Sequence, residues 1–312
     1  MQVKRYNPGV RLEGRGCVVA LGFFDGVHLG HRALLGCAKK RALSLGVPLL
    51  VFTFAHGGGI KAGVPLIYSE RDREELFSTL GVDTAIVADF KELRDLSPEE
   101  FIEKVIIGDL GAVCAVAGYD YKFGKYGKAD AADLSRLMAG HGLMTEIVDE
   151  YRAGGRTVSS SEIRELLCGG HVEVANELLG APFFISGTVV HGRADGKGYG
   201  YPTINIGVHE GAVRLKHGVY LTAVKMGEKL YTGLTNVGEC PTFGAREYHT
   251  ETYLIDFDGD AYGMETKVYF LSFIREERAF ASLGELKEQI AKDLIKAKDI
   301  KGDKKWQELG LN

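Results

Sequence analysis

The sequence predicts two unlike domains in tandem: a doubly wound parallel α/β sheet, then a small β-barrel with a terminal helix. Three observations predict this. Through the first half, short apolar runs alternate with helical segments, the pattern of a parallel sheet covered on both faces. From Phe183 the helices give way to short strands and turns, spaced as in a closed or partly closed barrel. Between the two patterns Gly180-Ala181-Pro182 is a helix stop signal, which sets the expected domains at 1-180 and 181-312.

In chain order, the apolar, β-branched run from Cys17 to Leu21 reads as a buried strand, and periodicity from Leu29 to Leu45 as a helix. Pro48 to Phe54 is strand-like. Ser69 caps a helix running to Leu80, and Thr84 to Ala88 follows as a strand. Ser97-Pro98-Glu99-Glu100 has a capping serine, proline at the first position and an acid at the third, a strong helix start. Ala112 to Ala117 is a strand, Asp130 to Ala139 a helix and Leu143 to Val148 a further strand. A helix reaches Leu167, and Val172 to Leu179 forms a short one.

In the second half Phe184 to Val190, Gly218 to Lys225 and Lys229 to Thr235 read as strands, the last two joined across Met226-Gly227-Glu228. Thr250 to Phe257 and Glu265 to Phe273 are expected to pair as a hairpin around Asp258-Gly259-Asp260. Ser282-Leu283-Gly284-Glu285 is a capping box opening an amphipathic helix to about Lys298.

A length of 312 residues suffices for two domains of ordinary size. The net charge of −4 offers no basic footprint for nucleic acid, so no nucleic-acid partner is expected. Met1 to Asn7 is followed by no apolar core of signal-peptide length, and no run is long enough to span a membrane; a cytoplasmic chain is expected. The five cysteines, at 17, 37, 114, 168 and 240, are odd in number, scattered and without a C-x-x-C. That argues against a zinc site or a disulfide framework and for small core residues.

The densest motif is Gly22-Phe23-Phe24-Asp25-Gly26-Val27-His28-Leu29-Gly30-His31, directly after the first strand. Two histidines three apart share a face of the first helical turn. Backbone N–H groups at that end attract anions, and Gly30 lets a ligand approach closely. The outline is that of a triphosphate site, although a lone His-x-x-His is more often an ordinary helix start. Thr53-Phe54-Ala55-His56-Gly57-Gly58-Gly59 and Gly118-Tyr119-Asp120-Tyr121-Lys122-Phe123-Gly124 also fall at strand ends, where such sheets bind ligands. The rings of the second segment suit packing or a planar ligand. Val158-Ser159-Ser160-Ser161-Glu162-Ile163-Arg164 joins a helix N-terminus, three hydroxyls and a guanidinium, a competent polyphosphate clamp.

In the second half, Gly187 to Gly192 and Gly196 to Gly200 are glycine-rich stretches of the kind that wraps phosphates. Within Tyr201-Pro202-Thr203-Ile204-Asn205, Thr203 and Asn205 face the same way in extended chain. Their oxygens are hard donors able to ligate magnesium together with ATP, though the segment also reads as a turn entering a strand.

As an ordered set these motifs resemble the prokaryotic bifunctional riboflavin kinase/FMN adenylyltransferase family, from about Cys17 to Lys298. The resemblance implies that His28 and His31 bind ATP phosphates and stabilise charge at the α-phosphate, beside Gly22, Phe24, Asp25 and Gly30. It implies that Ser159, Ser160, Ser161 and Arg164 clasp the same phosphates, Ser161 replacing the family's threonine. Asp120 and Phe123 would hold the flavin of FMN, with Tyr121 replacing a phenylalanine. The family's Thr-Phe-x-Pro-His-Pro loop loses both prolines here, which makes the segment around His56 more flexible.

For the second half, the resemblance implies ATP binding by Gly192, Gly200 and Pro202, and magnesium and ATP binding by Thr203 and Asn205. Glu251-Thr252-Tyr253-Leu254-Ile255-Asp256-Phe257 is similar to the segment that supplies the family's general base, here Glu251, with Tyr253 replacing a histidine. Phe273 to Phe280 is similar to the flavin-side Arg-x-Glu-x-x-Phe region and brings Arg275. The implied enzyme phosphorylates riboflavin with ATP to FMN, then adenylylates FMN to FAD and pyrophosphate, with Mg2+ assisting. Its implied partners are riboflavin, FMN and ATP, and no membrane. Two narrower readings stay open: a chain in which only the kinase half works, and a non-catalytic flavin-binding sensor. Retention of both histidines, Arg164 and Glu251 speaks against the sensor, because a binder needs no general base. Oligomeric state is not legible in the sequence.

Overall fold

A computed structural model describes residues 1–11, 14, 16–56, 63–190, 203–209, 211–242 and 245–301. The chain divides into two compact units, Met1–Ser160 and Ser161–Asn312.

The first unit is built on a parallel six-stranded sheet in the order β1-β4-β3-β2-β5-β6, formed by β1 Gln2–Arg5, β2 Cys17–Leu21, β3 Leu49–Phe54, β4 Thr84–Ala88, β5 Ala112–Gly118 and β6 Met144–Val148. All five residues of β2 are buried, as expected for a central strand covered on both faces. Alternate side chains feed two cores. Val19, Leu21 and Phe52 point to one side with Ile102 and Ile106; Val18, Ala20 and Val51 point to the other with Leu34, Leu35 and Phe77. The helices are α1 Leu29–Leu45, α2 Glu70–Thr79, short α3 Phe90–Leu93, α4 Pro98–Glu100, which continues as a π-helix over Phe101–Asp109, and α5 Ala131–Gly140.

The local signals read in the sequence are met in the structure. Ser69 accepts the Asp72 N–H, and Ser97 and Glu100 form a reciprocal capping box. Two elements carry no such signal. The edge strand β1 is exposed at every residue, and the hairpin of β7 Arg152–Ala153 and β8 Arg156–Thr157 has strands of two residues each. From β2 the chain moves to β3 and β4 on one side, then returns to place β5 and β6 on the other. The switch point therefore lies at the carboxyl ends of β2 and β5.

The second unit holds most of α6 Ser160–Gly169, then α7 Val172–Leu179, a closed antiparallel barrel and α8 Leu283–Lys301. Around the barrel the strands run β10-β13-β12-β11-β14-β9, with β9 Phe183–Val190, β10 Thr203–Ile206, β11 Gly218–Met226, β12 Lys229–Thr242, β13 Ala245–Leu254 and β14 Glu265–Arg275. The expected hairpin of the last two strands does not form. β13 pairs with β10 and β12, while β14 pairs with β9 and β11. Asp258-Gly259-Asp260 reverses the chain but leads it across the barrel, because both edges of β13 are already taken.

The sequence pattern changes at 180, whereas the contacts change at Ser160. The reason is α7. Asn176 donates to the Phe270 carbonyl at 2.8 Å and accepts the Phe183 N–H at 2.7 Å, and Glu173 accepts from Ser272 and from the Phe273 N–H. Inside the barrel a chain of hydroxyls links Thr222, Thr235 and Thr252 at 2.9 and 2.8 Å. Outside, Val219, Leu221, Leu234 and Ile274 pack against Leu294 and Ala297 of α8.

Candidate active sites

At the switch point, the chain leaves β2 through a loop held in uncommon backbone conformations. Phe24 and Val27 have φ of 55° and 42°, values that non-glycine residues rarely adopt. Asp25 fixes this loop. Its buried carboxylate accepts the Ile67 N–H at 2.9 Å, and its carbonyl accepts the Ser160 hydroxyl at 2.8 Å. Asp25 and Ser160 thus brace the loop. His28 caps α1, its Nδ1 accepting the His31 N–H at 3.3 Å. A neutral imidazole that accepts at Nδ1 carries its proton on Nε2, where it can donate. The two rings stack with centroids 3.6 Å apart, and Phe24 meets the His31 ring edge-on. A Cβ on Gly30 would lie 3.2 Å from the His28 ring, so only glycine leaves the pair its present spacing at no cost. Gly22 likewise gives room to the Phe24 ring, 3.0 Å from where its Cβ would be.

At the end of β5 the segment from Gly118 separates into two roles. Phe123 is buried in the core, its ring 5.6 Å from that of Phe101. Tyr121 stacks over Phe123 at 5.8 Å, is half-buried, and has its phenol pushed up by desolvation. Asp120 is exposed. Ser159 is half-buried at the head of α6, and in the second unit Arg164 donates to the Ser161 hydroxyl at 3.3 Å. Arg73, which the sequence analysis did not single out, is buried beside the loop, where Nη1 reaches the Phe23 carbonyl at 2.6 Å. Thr53 donates to the same carbonyl at 3.0 Å. Nothing in the local sequence distinguishes Arg73 from the charged residues around it.

The second site lies on the outer face of the barrel. Strand register sets Asn205, Glu251 and Asn236 in one row across β10, β13 and β12, with Thr203, Tyr253 and Leu234 in the next. Thr203 Oγ1 donates to Glu251 Oε1 at 2.5 Å. Thr203, Leu234, Asn236, Glu251 and Tyr253 line a cavity of about 300 Å³ together with Phe280, Leu286 and Ile290 of the segment and helix that follow β14. A second cavity, of about 330 Å³, runs from Thr203 and Ile204 to the 257–262 turn. Thr203 borders both.

Arg275 lines the first cavity, but its guanidinium is engaged by Asp293 of α8 at 2.8 Å and 2.9 Å. Asp293 is nearly fully buried and also accepts from Gln289 at 2.8 Å. Asn236 donates to Glu277 at 3.1 Å, tying the 276–280 segment to the cavity rim. Asp293, Asn236 and Ile290 were not singled out in the sequence. Their signal is register and helix face, which appear only once β12 and α8 are paired with their neighbours. Gly57 to Gly59, and Gly192, Gly200 and Pro202, lie outside the described residues.

Residues 179–301 match the riboflavin kinase family and residues 11–162 the FAD synthetase family. The chain is 39% identical over 285 residues to the bifunctional riboflavin kinase/FMN adenylyltransferase of Bacillus subtilis, covering 88% of this chain and 90% of that one. It belongs to the bifunctional riboflavin kinase/FMN adenylyltransferase family. Members from Pseudomonas fluorescens and Escherichia coli K12 are each 34% identical, over 96% and 92% of this chain and 98% and 93% of theirs. Among solved structures, a Streptococcus pneumoniae chain described as a macrolide-efflux protein superposes with a TM-score of 0.88 and 31% identity, over 96% of this chain and 99% of that one. Among the described residues no helix is long and apolar enough to cross a membrane. The riboflavin kinase match covers the barrel and α8; the FAD synthetase match covers β2 to β6 of the parallel sheet and ends in the first turn of α6.

Proposed function

We infer that this chain makes both flavin nucleotides: the barrel transfers the γ-phosphoryl group of ATP to riboflavin, and the sheet unit transfers AMP from ATP to FMN. The hydrogen bond between Thr203 and Glu251, at the border of two cavities, is the observation that carries the kinase half. The more apolar cavity, with Tyr253, Phe280 and Ile290 around it, suits an isoalloxazine ring. The cavity of the 257–262 turn suits the nucleotide. Glu251 then takes the proton of the ribityl 5′-hydroxyl as its oxygen attacks the γ-phosphorus and ADP leaves.

Magnesium suits the donor set here. Among the described residues no three His, Cys, Asp or Glu side chains gather as a metal cage, but Thr203 and Asn205 offer hard oxygens beside a carboxylate. Magnesium prefers this kind of sparse site, shared with substrate phosphates. Bound there, it would neutralise phosphate charge.

In the sheet unit, a phosphate oxygen of FMN attacks the α-phosphorus of ATP and pyrophosphate leaves. His28 and His31, stacked at the N-terminus of α1, stabilise the charge that develops, so no covalent nucleophile is needed. Ser159, Ser161 and Arg164 are assigned to ATP phosphates on motif alone. For the flavin, half-buried Tyr121 and exposed Asp120 are better placed than Phe123, which serves the core. Glu251→Gln is expected to abolish FMN formation and spare conversion of FMN to FAD, and His31→Ala to do the reverse. Equal loss of both steps in either variant, with folding intact, would contradict the two-site assignment.

A further inference from the structure

Arg73 is among the most deeply buried side chains of the first unit, at 2% exposure. Nη1 donates to the Phe23 carbonyl at 2.6 Å, Nη2 donates to the Phe54 carbonyl at 3.1 Å, and the guanidinium lies over the Phe23 ring at 5.1 Å. Its Nε–H is buried with no hydrogen-bond partner among the described residues. Burial disfavours its charge, which Asp25, Glu70 and Glu74 favour. Stability alone gives little reason to keep such a group, because an apolar side chain of similar volume often serves a buried position as well or better.

What Arg73 joins is informative. Phe23 lies in the loop that leads from β2 to His28 and His31, and Phe54 ends β3. One turn further along α2, Phe77 meets the Phe24 ring edge-on at 5.7 Å, and Phe24 in turn meets His31 at 5.2 Å. One turn earlier, Glu70 accepts the His56 N–H at 2.7 Å. A single helix face therefore grips both strand-end loops, with Arg73 at its centre.

We propose that Arg73 is a positioning residue for adenylyl transfer, tying the loop that leads to His28 and His31 to the end of β3 through the Phe23 and Phe54 carbonyls. It holds the histidines where charge develops. The proposal rests on the reading that the two histidines serve adenylyl transfer.

The test compares Arg73→Met, Arg73→Lys and His31→Ala in the full chain, measuring both half-reactions and thermal unfolding. Misplacing catalytic groups by about 1 Å can cost about 100-fold, so Arg73→Met is expected to lower kcat for FMN adenylylation about 100-fold. KM for ATP should stay within about threefold, since the loss falls on the transition state rather than on ground-state binding. Riboflavin kinase turnover should be unchanged, and Arg73→Lys, which keeps one charged donor, should recover about tenfold of the loss. An Arg73→Met enzyme with adenylylation within about threefold of the parent would overturn the proposal. So would a variant whose adenylyl loss is matched by an equal loss of folding, with no recovery in Arg73→Lys. If His31→Ala leaves FAD formation intact, the site reading itself fails, independently of Arg73.

Discussion

Thr203 and Glu251, on neighbouring strands of the barrel and 48 residues apart in sequence, share a hydrogen bond of 2.5 Å at the junction of two cavities. The contact exists because β10 pairs with β13 in a register that puts Thr203 opposite Tyr253 and Asn205 opposite Glu251. Register, and not local sequence, brings the hydroxyl to the carboxylate.

The first expectation concerns that bond. Thr203→Val should lower riboflavin kinase kcat about 10- to 100-fold, matching the roughly 1.5–3 kcal/mol of a hydrogen bond to a charged group. Thr203→Ser should restore most of it, and FMN adenylylation should be indifferent to both. Steady-state rates of the two half-reactions check this; a Thr203→Val enzyme with parental kinase turnover would contradict it.

Asp293 is expected to act as an anchor. Its removal leaves the Arg275 guanidinium over the cavity without its buried partner, and breaking such a pair costs about 3–5 kcal/mol. Asp293→Ala should lower the unfolding transition of the second unit and raise KM for riboflavin, both readable by calorimetry and kinetics. Unchanged values would mean that α8 is held mainly by Leu294 and Ala297.

Where a minimal kinase module begins follows from α7. Because Glu173 and Asn176 bond directly to β14 and β9, a fragment from Ser161 should fold more stably than one from Ala181. Thermal melts of the two fragments decide the matter. Equal melting temperatures would return the boundary to 180.

Thiol reactivity provides a check on the first core. Burial and a hydrogen bond to Glu146 push the Cys37 thiol up to about 11, and burial pushes Cys114 to about 11 and Cys17 to about 12. A raised pKa means less thiolate at pH 8, and these three are also buried or half-buried, so they should resist alkylation in the native state while Cys168, raised too but exposed, is labelled ahead of them. Mass spectrometry after a short iodoacetamide pulse reads this out. Labelling of Cys37 as fast as Cys168 would count against the packing described.

Much of this architecture was legible because local chemistry and global fold agree. The apolar run of β2, the serine caps at Ser69 and Ser97, and the glycine stop at Gly180 all meet their expected partners. Where partners are distant, the sequence was silent or misleading. The Asp258-Gly259-Asp260 turn indicated a reversal but not which strand it feeds, and β10, only four residues long, read as a turn entering a strand with no sign of its partners. In the sites, His28, His31, Thr203 and Glu251 stood out through their motifs. Arg73 and Asp293 did not, since a buried charge on a mostly polar helix looks like any surface charge until its partner is seen. Phe123 shows the opposite case: a motif ring that the fold spends on its core.

The most direct test incubates the purified protein with riboflavin, ATP and magnesium and follows the flavins by chromatography. The account predicts FMN rising first and FAD accumulating after it. FMN that accumulates with no FAD would contradict the adenylylating half and point to the loop that follows Phe54. No conversion, with riboflavin bound tightly, would contradict the enzyme altogether and leave a flavin-binding protein.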